Sequence, residues 1–478
     1  MHFWKRTARP EGFSVARRRL LGGAAGAVGS AAVGMLGFES LARADVPLPA
    51  GRAFLFCYFP GGWDQLLLLD PRDPARFPDA DRSRTLIEPR YRALEGHRGY
   101  GSQLLRPRGS SPHVFGPGAA RAGDGRSLLD YADRMAVLRG VNMAALGHEV
   151  AYRYFLTSAF PVGTTARGSS VAVDLVAQML PRLPRRPLPN LAIQVESYND
   201  RHPGAASAVQ VSGLEDFLLV MAPSGRREED VVERALADRG ATASPCDTEA
   251  YDRRGLLTQL RASRRTADEL VREDIARHFQ FATADTEGAR EVRARYRLER
   301  GDTSSPGARA ALAVQALKLG ISQVVSVSIG AVTDTHFVGN AAHMDLLQPG
   351  LSAFVALLDD LSASRHPEGG SFLDHTTVVA FSEFARAPLF NPFDGRDHHQ
   401  PSSLMLLGAG IRPNVVVGAT SDIGMAAVRW DIDRNVASED GEVLQPEHVA
   451  ATLLASAGLD TSSFRQRPLR AVLSDRAP

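Results

Sequence analysis

From Ala308 to Ile329 the chain reads ARAALAVQALKLGISQVVSVSI, and the change of character inside this stretch decides the fold class. Ala308 to Leu319 reads as a helix, and Gln323 to Ile329, rich in β-branched residues, reads as a strand. The same alternation continues toward the C-terminus. His343 to Leu361 reads as a helix, Thr376 to Phe381 and Ser403 to Leu407 as strands, and Pro446 to Ala457 as a helix with Gly458 at its end. Helix and strand in turn imply an α/β fold with a mainly parallel sheet covered on both faces. In such sheets ligands sit beyond the carboxyl ends of the strands.

Toward the N-terminus, Ala53 to Phe59 is a continuous apolar run stopped by Pro60-Gly61-Gly62, the pattern of a strand buried on both faces. Met135 to Val141 is a second such run, reached after loops and short helices from Pro71 to Arg126. His148 to Leu156 and Ser169 to Leu180 read as helices, the latter ended by Pro181, and Leu191 to Val195 as a short strand. Between residues 213 and 306 Arg, Glu, Asp and Ala accumulate, with Leu256, Leu257, Leu260, Leu270, Val271 and Ile275 at helical spacing. This predicts a helical insertion or cap with a solvated, charge-rich outer face.

With 478 residues the chain has room for one large α/β domain with insertions or for two smaller ones. Lys+Arg 55 against Asp+Glu 54 leaves no global basic field, which argues against nucleic acid as a partner. Cys57 lies in an apolar run and reads as a buried, inert thiol, Cys246 reads as a loop residue, and no disulfide is expected.

Arg17-Arg18-Arg19-Leu20-Leu21 precedes a Gly/Ala-rich apolar stretch from Leu20 to Phe38, and Ala42-Arg43-Ala44 supplies a small-x-small cleavage pattern. Residues 1–44 thus read as a twin-arginine signal peptide, with a mature chain starting near Asp45. The implied partner is the twin-arginine translocase, and the implied location is the periplasm or the cell exterior. No later run reads as long and apolar enough to span a bilayer, so no stable membrane span is expected after cleavage.

The strand ends carry the chemistry. The first strand leads into Gly61-Gly62-Trp63-Asp64; Gln323 to Ile329 leads to Asp334-Thr335-His336 and then His343. Thr376 to Phe381 leads to Ser382-Glu383-Phe384, and Gly395-Arg396-Asp397-His398-His399 stands before Ser403 to Leu407. Asp, Glu and His hold hydrolytic divalent metals, and glycines beside them let the backbone come close. Adjacent side chains diverge on a strand, which favours His398 over His399 as the functional one.

At these residues the sequence resembles the exported family that carries the domain of unknown function 1501, DUF1501, itself placed with the alkaline phosphatase and sulfatase superfamily. The resemblance rests on the Arg-Arg signal, Phe59-Pro60-Gly61-Gly62-Trp63-Asp64, Asp334-Thr335-His336, and Ser382-Glu383-Phe384-Ala385-Arg386 followed by Gly395-Arg396-Asp397-His398. It implies an alkaline-phosphatase-like three-layer sandwich over residues 45–478, with 213–306 as the helical insertion. It also implies a divalent metal (Zn, Ca, Mg or Mn) held by Asp64, Asp334, His336 or His343, Glu383 and His398. The substrate would be a small phosphate or sulfate ester, or a sulfated or phosphorylated polymer.

Two departures stand out. The superfamily's nucleophile region reads here Asn142 to His148 without hydroxyl or thiol, leaving His148, Thr157 and Ser158 as candidate catalytic residues. Phe384 stands where a histidine ligand is common. The competing expectation is a catalytically degenerate member that binds or assembles in the envelope.

Overall fold

The first apolar run folds as strand β1, Ala53–Tyr58, buried along its whole length. This computed structural model describes residues 51–107, 109, 111–120, 127–183, 186–221 and 275–475; the signal peptide read at 1–44, Cys246 and residues 222–274 of the expected insertion lie outside them. Further strands are β2 (Met135–Asn142), β3 (Asn190–Ile193), β4 (Val209–Val211), β5 (Val324–Ser328) and β6 (Thr376–Phe381). Then come β7 (Ala385–Arg386), β8 (His398–His399), β9 (Pro401–Gly408) and β10 (Val415–Val417). The longer helices among the described residues are α1 (His148–Thr157), α2 (Val171–Met179), α3 (Leu214–Met221), α4 (Glu287–Tyr296), α5 (Pro306–Lys318), α6 (Asn340–Ala363) and α7 (Pro446–Ala455).

Eight strands form one sheet in the order β10-β2-β9-β6-β1-β5-β3-β4. β1 is central and pairs in parallel with β5 and β6, Phe54 lying opposite both Val324 and Thr377. Every pairing is parallel except those of β9, which runs antiparallel to β2 and to β6. The result is a mixed α/β fold around a large, mainly parallel sheet, as the alternation predicts. Its reversed member, β9, was not legible as reversed. The three-residue strands β4 and β10 are additions to the expected set.

Alternating strand residues feed two apolar faces. On one, Phe54, Phe56, Tyr58, Phe381 and Leu406 join a core with α1, α2 and α7, Phe155 stacking on Phe381 at 4.0 Å between ring centroids. On the other, Phe59 meets Phe354 of α6 edge to face at 6.0 Å. Gly350 of α6 lies so close to the strand ends that a Cβ there would stand 2.9 Å from the Gly330 Cα. α5 starts on a Ser305 hydroxyl that accepts the Ala308 N–H at 3.1 Å, with Pro306 in its first turn.

α6 corrects one expectation. Its 24 residues are long enough to cross a membrane and hold an 18-residue window of mean hydropathy 1.2, apolar enough to do so, but 61% of that window is buried inside the fold. Cys57 is buried on β1 with a free thiol whose pKa burial drives up. Among the described residues, 215–221 and 275–280 belong to a second compact unit, in which Phe217 and Phe279 pack at 4.7 Å.

Because β9 is reversed, its first residue sits at the same edge as the last residues of its antiparallel neighbours β2 and β6, Asn142 of β2 pairing with Pro401. The segments after β1, β2, β5 and β6 and the segment before β9 therefore meet on one rim.

Candidate metal centre

Two glycines shape the rim. Gly61 and Gly62 have φ of +98° and +80°, a region costly for side chains, and a Cβ on Gly61 would stand 2.2 Å from the Thr333 nitrogen. The turn after β1 can thus lie directly on the turn after β5. The two-stranded ribbon β7–β8 adds the third wall, pairing Arg386 with His398 so that both side chains reach one point.

That point is Oδ1 of Asp334. Around it stand Arg386 Nη2 at 2.7 Å, His336 Nε2 at 3.1 Å, His398 Nε2 at 3.2 Å and His148 Nε2 at 3.3 Å. His336 and His398 are also 2.8 Å apart, Nε2 to Nε2. His148 is the first residue of α1, so the helix N-terminus brings its positive end toward this carboxylate.

The opposite ring nitrogens decide how the imidazoles are poised. His148 Nδ1 is 2.6 Å from Glu383 Oε1, His336 Nδ1 is 2.8 Å from Asp397 Oδ1, and His398 Nδ1 is 2.5 Å from the Leu146 carbonyl. Each of these partners only accepts, so each Nδ1 carries a proton, and the neutral form of each ring turns its Nε2 lone pair inward. His148 Nε2 is buried without a hydrogen bond of its own. Histidines anchored in this way on carboxylates or carbonyls are the usual form of metal ligands.

The anchors are themselves held. Glu383 is buried and takes the Gly61 N–H on Oε1 at 2.8 Å, while the Ser382 hydroxyl beside it donates to the Phe59 carbonyl at 2.7 Å. Arg386, with no exposed side-chain surface, also donates to the carbonyls of Gly61, Gly62 and Arg396. Burial opposes ionisation of Asp334, but the hydrogen bond from Arg386 and the Arg386 charge prevail and hold its carboxyl well below the usual range. Burial also opposes protonation of His148, yet the hydrogen bond and charge of Glu383, with Asp334 behind, raise its pKa. Burial lowers that of His398.

A family model described as "Protein of unknown function (DUF1501)" matches residues 52–469. The chain belongs to the DUF1501 family. No curated protein matches it.

Of the residues singled out in this DUF1501 chain, Asp334, His336, His398 and His148 converge. Glu383 stands one step back, on His148. Asp64 and His343 do not point at the cluster. The Asp64 carboxylate is buried, accepts the Leu66 N–H at 2.9 Å and pairs with the equally buried Arg396 at 2.9 Å, and burial raises its pKa. His343 accepts the Asp64 N–H on Nε2 at 3.1 Å and has Nδ1 2.8 Å from the Thr335 hydroxyl, so both ring nitrogens are committed. Thr157 Oγ1 donates to the Arg153 carbonyl at 2.9 Å and Ser158 Oγ to that of Pro446 at 3.4 Å.

Sequence reasoning does not find Asp397 or the Leu146 carbonyl, and it offers Arg386, like Arg396, only as a clamp for an oxyanion, outside the first-rank site. Asp397 could have been found from its place beside His398 in a Gly-Arg-Asp-His run; Arg386 does not stand out in so Arg-rich a chain. His399 points away, to the Met425 carbonyl at 3.0 Å, as strand alternation predicts. Phe384, in place of a further ligand, packs its ring 4.3 Å from His398 and 4.7 Å from His148.

A second grouping, His366, Glu368 and His375, has metal-ligand composition but a different disposition. His366 Nδ1 accepts the Glu368 N–H at 3.1 Å, and His375 Nε2 meets the Gly369 carbonyl at 2.8 Å, with the two rings stacked at 3.7 Å. The rings lie face to face, 16° from parallel, and each has one nitrogen engaged by the backbone of its own loop.

Proposed function

We propose that this protein holds a divalent metal on His148, Asp334, His336 and His398 and hydrolyses phosphate or sulfate esters outside the inner membrane. The observation that carries the reading is the poise of three imidazoles, each with Nδ1–H anchored and Nε2 turned toward Asp334 Oδ1. Three nitrogens and one carboxylate suit zinc better than calcium or magnesium, which take oxygen ligands. Zinc–ligand distances near 2.0–2.1 Å put tetrahedral donors roughly 3.3 Å apart. His148, Asp334 and His398 offer ligand atoms that all lie within 4.8 Å of one another, and His336 joins from the side, 3.1 Å from Asp334 Oδ1 and 2.8 Å from His398.

A metal held there supplies charge that polarises the ester and stabilises the oxyanion of the transition state. The chain's own part is to keep the ligands ready. Arg386 keeps Asp334 ionised and oriented, while Glu383 and Asp397 fix the tautomers of His148 and His336. The hydroxyls of Thr157, Ser158 and Ser382 are spent on backbone carbonyls, which leaves water as the attacking group. A mainly parallel sheet with its metal residues on one rim accords with an alkaline-phosphatase-like three-layer fold, and the Arg17-Arg18 leader accords with twin-arginine export of a folded, metal-loaded protein.

Phe384 favours a second reading, since it fills with a hydrocarbon ring a place beside two of the imidazoles. That reading is a metal-binding envelope protein without hydrolysis. The test is metal content per chain after purification from a host with a working twin-arginine system, together with turnover of aryl phosphate and aryl sulfate. One zinc per chain with turnover, both lost in His148→Ala and His398→Ala, is expected. Zinc without turnover supports the binding protein, and a folded chain that takes up no metal removes both.

A further inference from the structure

The segments that hold the cluster also carry large apolar side chains in the open. Phe337 directly follows His336 and is 71% exposed; its ring packs on that of Phe393, 66% exposed, at 5.5 Å. Val332, two residues before Asp334, is 63% exposed, and Leu146, whose carbonyl anchors His398, is 51% exposed. The Asn391 side chain donates to the His336 carbonyl at 2.9 Å, and a Cβ on Gly395 would stand 2.2 Å from that carbonyl oxygen, which ties the Phe393 loop to the Phe337 loop. Single exposed apolar residues are ordinary on a protein surface, but a group of them set beside a polar, convergent site marks a place where something binds. Folding does not account for the group, because exposed phenylalanines contribute no burial.

We propose that Phe337 and Phe393, with Val332 and Leu146, form the subsite for a bulky apolar group of the substrate, whose anionic ester head goes to the His148–Asp334–His336–His398 cluster. The substrate class is thus an amphiphilic ester, polar at the reacting end and apolar next to it. This rests on the ester reading above. Continuity points to the occupant: the Phe337 ring lies 6.1 Å from the His336 ring and 5.5 Å from that of Phe393, so an apolar group bonded to an anionic head at the cluster has the two rings within reach.

Zinc-loaded full-length protein is titrated calorimetrically with methylphosphonate and with phenylphosphonate, non-hydrolysable anions that share a head and differ in the apolar group. Phenylphosphonate is expected to bind about tenfold more tightly, the scale of burying one ring face. In the double variant Phe337→Ser, Phe393→Ser, with zinc content checked as unchanged, that preference should fall to within about twofold while methylphosphonate affinity stays put. Equal affinities in the wild type, or a preference that survives the double substitution, overturn the subsite. If neither phosphonate binds, neutral 1-naphthol replaces them. Binding of 1-naphthol lost in the double variant keeps the apolar subsite and sinks only the ester reading, and no binding sinks both.

Discussion

His336 and His398 face each other across 2.8 Å, Nε2 to Nε2, while the Nδ1 of each is fixed on an acceptor, Asp397 and the Leu146 carbonyl. Two lone pairs at that distance repel, so the arrangement is stable with a cation or a proton between them. Zinc is therefore expected to raise the melting temperature of the purified chain and a chelator to lower it. The gain is about 4 kcal/mol at a metal concentration a thousand times the dissociation constant. Calcium or magnesium at equal concentration should shift it little, since imidazole nitrogens suit them poorly. Melting curves unmoved by zinc would count against a metal at this place.

Asp64 and Arg396 form a buried ion pair, Oδ2 to Nε at 2.9 Å, with Arg396 donating its other nitrogens to the carbonyls of Glu88, Ala387 and Pro388. Removing one partner leaves the other charge buried and uncompensated. Asp64→Ala is expected to destabilise the protein by about 3–5 kcal/mol in urea unfolding. The fraction that remains folded should keep its zinc, in contrast to His398→Ala, which should stay folded and lose it. A stable Asp64→Ala protein lacking zinc would place Asp64 among the ligands after all.

Glu383 acts through His148 Nδ1. Glu383→Gln keeps the size and one acceptor oxygen but removes the negative charge that makes the imidazole a strong donor. Zinc affinity, measured by competition with a chelating dye, should fall about 10- to 100-fold with the fold intact. An unchanged affinity would mean that His148 does not bind the metal.

Much of the frame was legible because β1 is a short unbroken apolar run and β5 and β6 are short runs rich in β-branched residues, all three too short for a core helix and buried along their whole length, as the central strands of a parallel sheet are. The direction of β9 was not, because Ser403 to Leu407 is equally apolar whichever way it runs; direction is set by pairing with β2 and β6. Val209–Val211 and Val415–Val417 are too short to separate from loops. At the site, the rule that ligands gather past the strand ends led to Asp334, His336, Glu383 and His398. The same rule drew in Asp64 and His343, because a buried carboxylate answering an arginine and a buried imidazole answering a backbone N–H look in sequence just like ligands. His148 reads in sequence only as a catalytic candidate, since its ligand character comes from Glu383, 235 residues away in the chain.

His343 gives the clearest pH signature. Its Nε2 accepts the Asp64 N–H and its Nδ1–H goes to Thr335, so a second proton would meet a donor. Burial, with the Arg386 and Arg396 charges adding to it, pushes the pKa down to about 3. An unfolded histidine titrates near ~6.5. Above that value both states are neutral and the contribution to stability is complete. As pH falls through about 6.5 toward 3, the unfolded chain takes up a proton that the native one refuses, and stability declines by at most about 1.4 kcal/mol per pH unit. His343→Gln cannot titrate. At pH 7 the wild type should be more stable than this variant by about 1–3 kcal/mol, the scale of a disturbed buried hydrogen-bond pair. The gap should narrow at pH 6 and again at pH 5 in urea unfolding, because only the wild type carries the proton-linked loss. A gap that stays constant from pH 7 to pH 5 would show that His343 accepts its proton as readily folded as unfolded, which a ring with both nitrogens engaged in the core cannot do.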